Sequence, residues 1–265
     1  MTTVLVSGLP GAMAAEVATL VSQQSDLSLA GVGLTSEKHA GGTLSFGEQT
    51  VRLVEPARLG ADDLPPDAVA VDYSTPDAAL DNVRWFAERS LPMVIGTTGF
   101  GTDEAKSIVD RHNGLAVIAP NMAVPIVLLQ AAARFLAEQF PGALAGGELS
   151  IRESHQAGKR DTSGTAKALV VAAQALGFDY DVGQIESVRD PQTQRGELGV
   201  PDEHLAGHAL HQYDARLADG TVQLVLEHNV LGRRVYAEGT LKAARFLASR
   251  GGSSGVFDME DVLRG

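Results

Sequence analysis

Short apolar runs and stretches of helical spacing alternate through the first half of the chain. Residues 3–7, 29–34, 68–73, 92–96 and 115–119 are runs of Val, Ile, Leu and Ala, the pattern of strands buried on both faces. Residues 14–22, 77–89 and 102–112 place apolar side chains at helical spacing, and Ser74-Thr75-Pro76 is a start signal for the second of these helices. Residues 43–54 alternate around Gly47 and predict a small hairpin. Residues 56–67, with Pro65 and Pro66, predict a loop with at most one helical turn. Strands alternating with helices predict a doubly wound parallel sheet.

The pattern changes further on. Residues 125–140 read as a long apolar helix linking two domains, and residues 148–153 alternate, so that Leu149 and Ile151 share one face of a strand. This strand is expected to deliver His155, Lys159 and Arg160 to a loop. Asp161, Thr162 and Ser163 then offer three candidate caps for a helix that begins near Gly164 and Thr165 and stops at Gly177. Residues 180–188, 205–213 and 222–230 read as strands without long helices between them, which predicts a mostly antiparallel or mixed sheet. Residues 190–204 read as a long polar loop, residues 232–250 lead into a helix, and residues 255–263 form an amphipathic tail. The expected fold is α/β: an N-terminal doubly wound parallel sheet, Rossmann-like, over residues 1–124, with residues 240–265 packing back on it. A second α+β domain on a mixed or antiparallel sheet, for substrate binding and oligomerisation, covers residues 125–239.

In doubly wound sheets ligands bind beyond the carboxyl ends of the strands. Those ends carry Gly8, Gly11, Asp72, Ser74, Gly96, Thr97, Thr98 and Asn121, which together favour a cofactor crevice. The first strand runs into Gly8-Leu9-Pro10-Gly11-Ala12-Met13 and then a helix, the way a dinucleotide-binding fold begins. Pro10 stands where the middle glycine of that fingerprint would be, and a plain strand-turn-helix gives the same pattern. Past the second strand, Thr35 and Ser36 stand where an acidic residue would take the ribose hydroxyls of NAD. With Glu37 and Lys38 just beyond, the choice between NADH and NADPH stays open and leans to NADPH.

Charge sharpens the picture at one place. The chain has 21 basic against 33 acidic residues, a net charge of −12, yet His155, Lys159, Arg160 and Lys167 fall together beside a helix start. Free N–H groups and the positive dipole end of a helix hold anions, so a small anionic ligand is expected there; solvated loop charges are the alternative. The acidic balance argues against nucleic acid and against anionic membranes. No apolar run approaches the ~20 residues of a membrane helix, and the first residues read as too short for a signal peptide. The sequence contains no cysteine, which excludes disulfides and thiolate catalysis and fits a cytoplasmic setting. His204, His208 and His211 are spaced like metal ligands, but His208 and His211 fall on opposite faces of the expected strand, so no metal is expected. Arg233 and Arg234 read as a surface pair. His155, Asp161 and Ser163 do not read as a hydrolase triad, since no G-x-S-x-G turn is present and Ser163 is better placed as a cap.

The stretch Glu153-Ser-His155-Gln-Ala-Gly-Lys159-Arg-Asp161-Thr-Ser-Gly-Thr-Ala166 resembles the signature of the 4-hydroxy-tetrahydrodipicolinate reductase (dihydrodipicolinate reductase) family. The resemblance extends to Gly8-x-x-Gly11-x-Met13, Gly96-Thr-Thr-Gly99, Ala119-Pro-Asn-Met122, Tyr236-Ala-Glu-Gly-Thr240 and Phe257-Asp-Met-Glu-Asp-Val-Leu263. Gln156, where many bacterial members carry a second histidine, and the lack of a proline before Ser163 make the chain similar to the plant-type branch. The resemblance implies NADPH- or NADH-dependent reduction of a small cyclic dicarboxylate in lysine and diaminopimelate biosynthesis, by a homo-oligomer, dimer or tetramer. It implies catalytic roles for His155 and Lys159, with Lys159 the proton donor, and substrate contacts at Gln156, Gly164 and Thr165. Cofactor contacts fall on Gly8, Leu9, Pro10, Gly11, Ala12, Met13, Gly96, Thr97, Thr98, Ala119, Pro120, Asn121 and Met122. A reductase of another cyclic imine, or a nucleotide sensor that has lost catalysis, are the competing readings.

Overall fold

The computed structural model of the chain describes residues 1–60, 63–159 and 161–265. They form two compact units, Met1–Val124 with Arg234–Gly265, and Pro125–Arg233. The chain opens with β1 (Thr2–Ser7), α1 (Ala12–Ser22), β2 (Leu27–Leu29), β3 (Val32–Leu34), β4 (Thr43–Phe46), β5 (Gln49–Val54) and β6 (Ala68–Asp72). It continues with α2 (Pro76–Glu88), β7 (Met93–Ile95), α3 (Thr102–Arg111) and β8 (Leu115–Ile118). The strands line up in the order β4-β5-β3-β1-β6-β7-β8, parallel except for the β4–β5 hairpin. β6 and β7 are buried along their whole length, as a strand covered on both faces must be. Phe86, Met93, Ile95 and Ile108 form the centre of the packing between α2, α3 and the sheet.

The run 29–34, expected as one strand, is divided between β2 and β3. Ala30 N–H still donates to Val4 of β1, while Gly31 C=O already accepts from Arg52 of β5. The chain steps here from one neighbour to the next, a change of partner that an apolar run does not disclose.

The second unit takes up α4 (Val124–Gln139) from Pro125 onward. It contains β9 (Glu148–His155), α5 (Gly164–Leu176), β10 (Glu186–Val188), α6 (Pro191–Gly196), β11 (His208–Leu217) and β12 (Val222–Leu231). The sheet order is β10-β9-β11-β12, with β10 parallel to β9 and the other pairs antiparallel, so the mixed sheet is present. Ile151 and Tyr213 of this sheet pack with Leu169, Val170, Phe178 and Tyr180. α5 ends where expected: Gly177 has φ +106°, and a Cβ there would lie 2.8 Å from Ala145 N.

Three expectations change in this unit. β9 extends to His155, so that this histidine is the last residue of a strand rather than part of a loop. The strand expected over 180–188 shrinks to β10, because Gln184 Oε1 accepts the Asp181 N–H at 2.6 Å and folds a 3-10 turn before it. The polar loop 190–204 contains α6, started by Asp190, whose carboxylate accepts the Thr193 N–H at 2.8 Å, and by Pro191 in the first turn.

The chain returns to the first unit with α7 (Arg234–Ser249), β13 (Gly255–Phe257) and α8 (Met259–Arg264). α7 is one continuous helix, so 234–239, assigned to the second domain from the sequence, lie with the first unit. Gly239 allows the close approach: a Cβ there would stand 1.7 Å from the Met122 carbonyl oxygen. The amphipathic tail is in part a strand, since β13 pairs in parallel with β8 (Gly255 with Leu115) and extends the sheet.

Candidate active site

In the first unit, Gly8–Met13, Gly96–Thr98 and Ala119–Met122 follow β1, β7 and β8, which run in the same direction, so the three groups share the carboxyl edge of one sheet. The turn after β1 requires glycine. Gly8 has φ +99°, and a Cβ on it would stand 2.2 Å from the Tyr73 carbonyl oxygen; one on Gly11 would stand 2.7 Å from Gly8 O. Pro10, Gly11 and Ala12 are exposed at the start of α1, an eleven-residue helix. This exposed helix start suits a pyrophosphate, and Gly11 with the small Ala12 lets it approach the backbone. Thr35 Oγ1 donates to Leu9 O at 2.5 Å and braces the turn from β3, which leaves Ser36 and Lys38 exposed beyond it.

Gly96 is needed for a different reason: a Cβ would collide with the Tyr73 ring at 2.3 Å. Asp72 belongs to the scaffold. It is fully buried and accepts from Thr97 Oγ1 at 2.6 Å, Asn82 Nδ2 at 2.9 Å and Ser74 Oγ at 2.9 Å. Asn121 Oδ1 accepts the Ala123 N–H at 2.9 Å.

The second unit carries its chemistry on one row across the sheet. Ser187 of β10 stands beside Glu153 of β9, Glu153 beside His211 of β11, and His211 beside His228 of β12. Two residues along, on the same face, are His155 on β9 and Tyr213 on β11. His155 Nε2 and His211 Nε2 are 3.0 Å apart, and His211 Nδ1 lies 3.1 Å from Tyr213 Oη. Burial depresses all three histidines, His155 to about 4, His211 to about 2 and His228 to about 4, so they are neutral at pH 7. Burial also pushes the Tyr213 phenol up.

Glu153 and Arg189 tie the loop after β9 at its far end and at its middle. Glu153 Oε2 accepts the Ser163 N–H at 3.0 Å, while Oε1 accepts from Arg189 Nη2 at 2.5 Å and from Ser187 Oγ at 3.2 Å. Arg189 Nε donates to Lys159 O at 2.9 Å. Lys159 Nζ reaches Asp161 Oδ1 at 2.8 Å, which holds the Asp161 carboxyl below its ordinary range. Of the three candidate caps Ser163 is the one used; its Oγ accepts the Thr165 N–H at 3.2 Å. The expected anion contact at Thr165 N–H therefore competes with this cap. A Cβ on Gly164 would meet nothing within 4 Å, so the backbone there faces open space. Gln156 lines a shallow hollow with Gly158, Pro191, Gln194 and Leu205. Arg160 lies outside the described residues.

His204, His208 and His211 are not gathered: His208 Nε2 bonds Ser154 Oγ at 2.8 Å on the face opposite His211. Three ligand-type atoms do meet elsewhere, from Glu153, His155 and His211, within 4.8 Å of one another. Each of these groups already has a protein partner, and the cationic Arg189 sits on the carboxylate. Glu153, Arg189, His211 and Tyr213 were not singled out for this site from the sequence. Glu153 continues the Leu149–Ile151 face by two more residues, and that parity was the available signal.

Residues 2–122 match the family model described as dihydrodipicolinate reductase, N-terminus, and residues 125–263 the one described as dihydrodipicolinate reductase, C-terminus. The chain belongs to the dihydrodipicolinate reductase family. Probable 4-hydroxy-tetrahydrodipicolinate reductase 2, chloroplastic, of Oryza sativa is 39% identical, over 98% of this chain and 82% of its own. The Arabidopsis thaliana 4-hydroxy-tetrahydrodipicolinate reductase 1, chloroplastic, is 44% identical over 75% of this chain and 58% of its own. The Rubrobacter xylanophilus enzyme of the same name is 31% identical over 99% and 98%. These two plant sequences thus share more with the chain than the Rubrobacter one does, in line with the plant-type motif. A dipicolinate-bound dihydrodipicolinate reductase from Paenisporosarcina sp. TG-14 has the same fold, with a TM-score of 0.66 at 20% identity over 97% of each chain.

Proposed function

We propose that the chain reduces 4-hydroxy-tetrahydrodipicolinate to tetrahydrodipicolinate with a nicotinamide dinucleotide, in the route to diaminopimelate and lysine. The observation that carries this reading is that Glu153, on the strand that ends in His155, and Arg189 tie the Lys159 backbone and the start of α5 into one corner of the second unit. Membership in the family and the names of the relatives supply the substrate. The glycine turn fits the cofactor's pyrophosphate at the start of α1. Bound there, a reduced nicotinamide supplies the hydride. The substrate's hydroxyl leaves first, as water with a proton from the neighbouring ring carbon, which makes the ring conjugated. Hydride addition to that ring leaves an enamine, and Lys159 delivers the proton to the enamine carbon. Gly164 N–H and the dipole of α5 hold one substrate carboxylate, with Thr165 and Gln156 beside it; Lys159 and His155 lie near the other. His155 is neutral and contributes a hydrogen bond rather than a charge.

Ser36 and Lys38 offer a hydroxyl and an ammonium to a 2'-phosphate, which supports NADPH as the preferred cofactor. β12 is an edge strand with Val222, Leu224, Val225, Leu226 and Leu231 exposed, which supports assembly of copies through this sheet. Among the described residues no helix is long and apolar enough to cross a membrane. A cytoplasmic place is part of this reading, and a chain without cysteine is compatible with it.

The test follows oxidation of NADPH and NADH while the substrate is generated from pyruvate and aspartate semialdehyde by a coupling synthase. Wild type is expected to oxidise the cofactor, and Lys159→Ala to lose roughly 10²–10⁴ in kcat with cofactor affinity retained. Tight cofactor binding without oxidation, or equal loss of turnover and cofactor affinity in the variant, overturns the reading.

A further inference from the structure

Two neutral imidazoles facing each other through Nε2 atoms 3.0 Å apart share one proton, and either ring could carry it. The third member of the row decides which. Tyr213 keeps its phenolic proton, because burial raises its pKa, and His211 Nδ1 at 3.1 Å is the acceptor within its reach. If Tyr213 donates, His211 Nδ1 is bare, His211 carries its proton on Nε2, and that proton points at His155 Nε2. The reverse order would place a proton on His211 Nδ1 aimed at the phenol oxygen and leave the buried phenol O–H without an acceptor among the described residues, a full desolvation penalty. Glu153 Oε2, 3.9 Å from His155 Nε2 and 4.0 Å from His211 Nε2, favours the N–H that lies between the rings.

We infer that His211, oriented by the Tyr213 hydroxyl, is a positioning residue that fixes His155 in the tautomer protonated on Nδ1. Nothing in the family match assigns a role to either residue. The inference rests on the reading of His155 as a site residue and deepens it. His155 then presents one N–H, at Nδ1, as a neutral donor for an electron-rich atom of the substrate, and the proton of the reaction comes from Lys159 alone. The backbone of His155 is fixed separately, by Gln194 Nε2 donating to its carbonyl at 2.7 Å, so the ring pair sets the tautomer and not the position of the strand.

The experiment is long-range ¹H–¹⁵N spectroscopy of the full chain with ¹⁵N-labelled histidine, with signals assigned through His155→Gln and His211→Gln. Wild type is expected to show His155 protonated on Nδ1 and bare on Nε2, and His211 the reverse. Tyr213→Phe and His211→Leu are expected to shift His155 toward the Nε2-protonated form. They should lower kcat by about tenfold, the scale of one net hydrogen bond, with the KM for the cofactor unchanged. His211→Gln, whose amide can still donate to His155 Nε2, is expected to recover most of that turnover. An Nε2-protonated His155 in the wild type, or a tautomer indifferent to both Tyr213→Phe and His211→Leu, overturns the proposal. So do bare Nε2 atoms on both rings that regain a proton on adding a chelator, which would place a metal ion between them. The spectrum of the wild type needs no substrate, and the two glutamine variants serve only to assign its signals. A chain with the expected tautomers that oxidises no cofactor refutes the reductase reading and leaves the proton order standing.

Discussion

The turn after β1 and the row across the second sheet place functional groups with opposite materials. The turn is shaped by missing side chains: Gly8 and Gly11 stand where a methyl group would meet backbone oxygen at 2.2 and 2.7 Å. The row is shaped by side chains that are present: a carboxylate and three depressed histidines placed by cross-strand register, and Arg189, which follows β10 and bonds the carboxylate. The first is steric and indifferent to pH. The second is electrostatic, and its geometry depends on protonation as much as on packing.

The comparison is broken most severely at Gly8. Gly8→Ala forces a Cβ into Tyr73 O at a φ that side chains rarely adopt, and is expected to cost about 2–5 kcal/mol from overpacking and strain together. Thermal melts should show this loss without a change in its pH dependence. Glu153→Gln keeps the shape of the second region and removes its charge. A broken buried pair costs about 3–5 kcal/mol, and Arg189 keeps 19% of its side chain exposed, so about 2 kcal/mol is expected. Denaturant unfolding measures it, and a loss smaller than that of a surface ion pair would sink the view that Glu153 holds the loop.

Protonation separates the regions next. His155 and His211 titrate in the folded chain at about 4 and about 2, against 6.5 in the unfolded chain. Between these values the unfolded state binds more protons, so stability falls as the pH drops below about 6.5. Above that the two residues contribute no pH dependence, and the share from His155 levels off below about 4. Melts from pH 8 to pH 4 should show this slope in the wild type and a shallower one in His211→Gln.

These contrasts also explain what was legible in the sequence. The steric region could be read directly, because a strand, glycines and a helix start are local, and β1, β6, β7 and β8 appear within a residue or two of their apolar runs. Lys159 and His155 were legible through the motif. Their supports were not: Glu153 is bonded to Arg189, 36 residues away, and His155 to His211, 56 residues away. Such partners become neighbours only through sheet register, which alternation alone leaves unspecified. α6 was missed for a different reason. Its Asp190-Pro191 start signal is local, but six residues are too few to display helical spacing.

The pairing of β13 with β8 has a consequence for biosynthesis. Gly255 must find Leu115 across the whole of Pro125–Arg233, and a ribosome delivers residues in order. The continuous unit is therefore fully synthesised while the discontinuous one still lacks α7 and β13. Until they emerge, β8 is an unpaired sheet edge, and the apolar surface later covered by Leu241, Ala244 and Leu247 of α7 stays in water. The nascent chain is thus most open to chaperones and to aggregation in the interval between finishing its inserted unit and adding its last strand at the sheet edge.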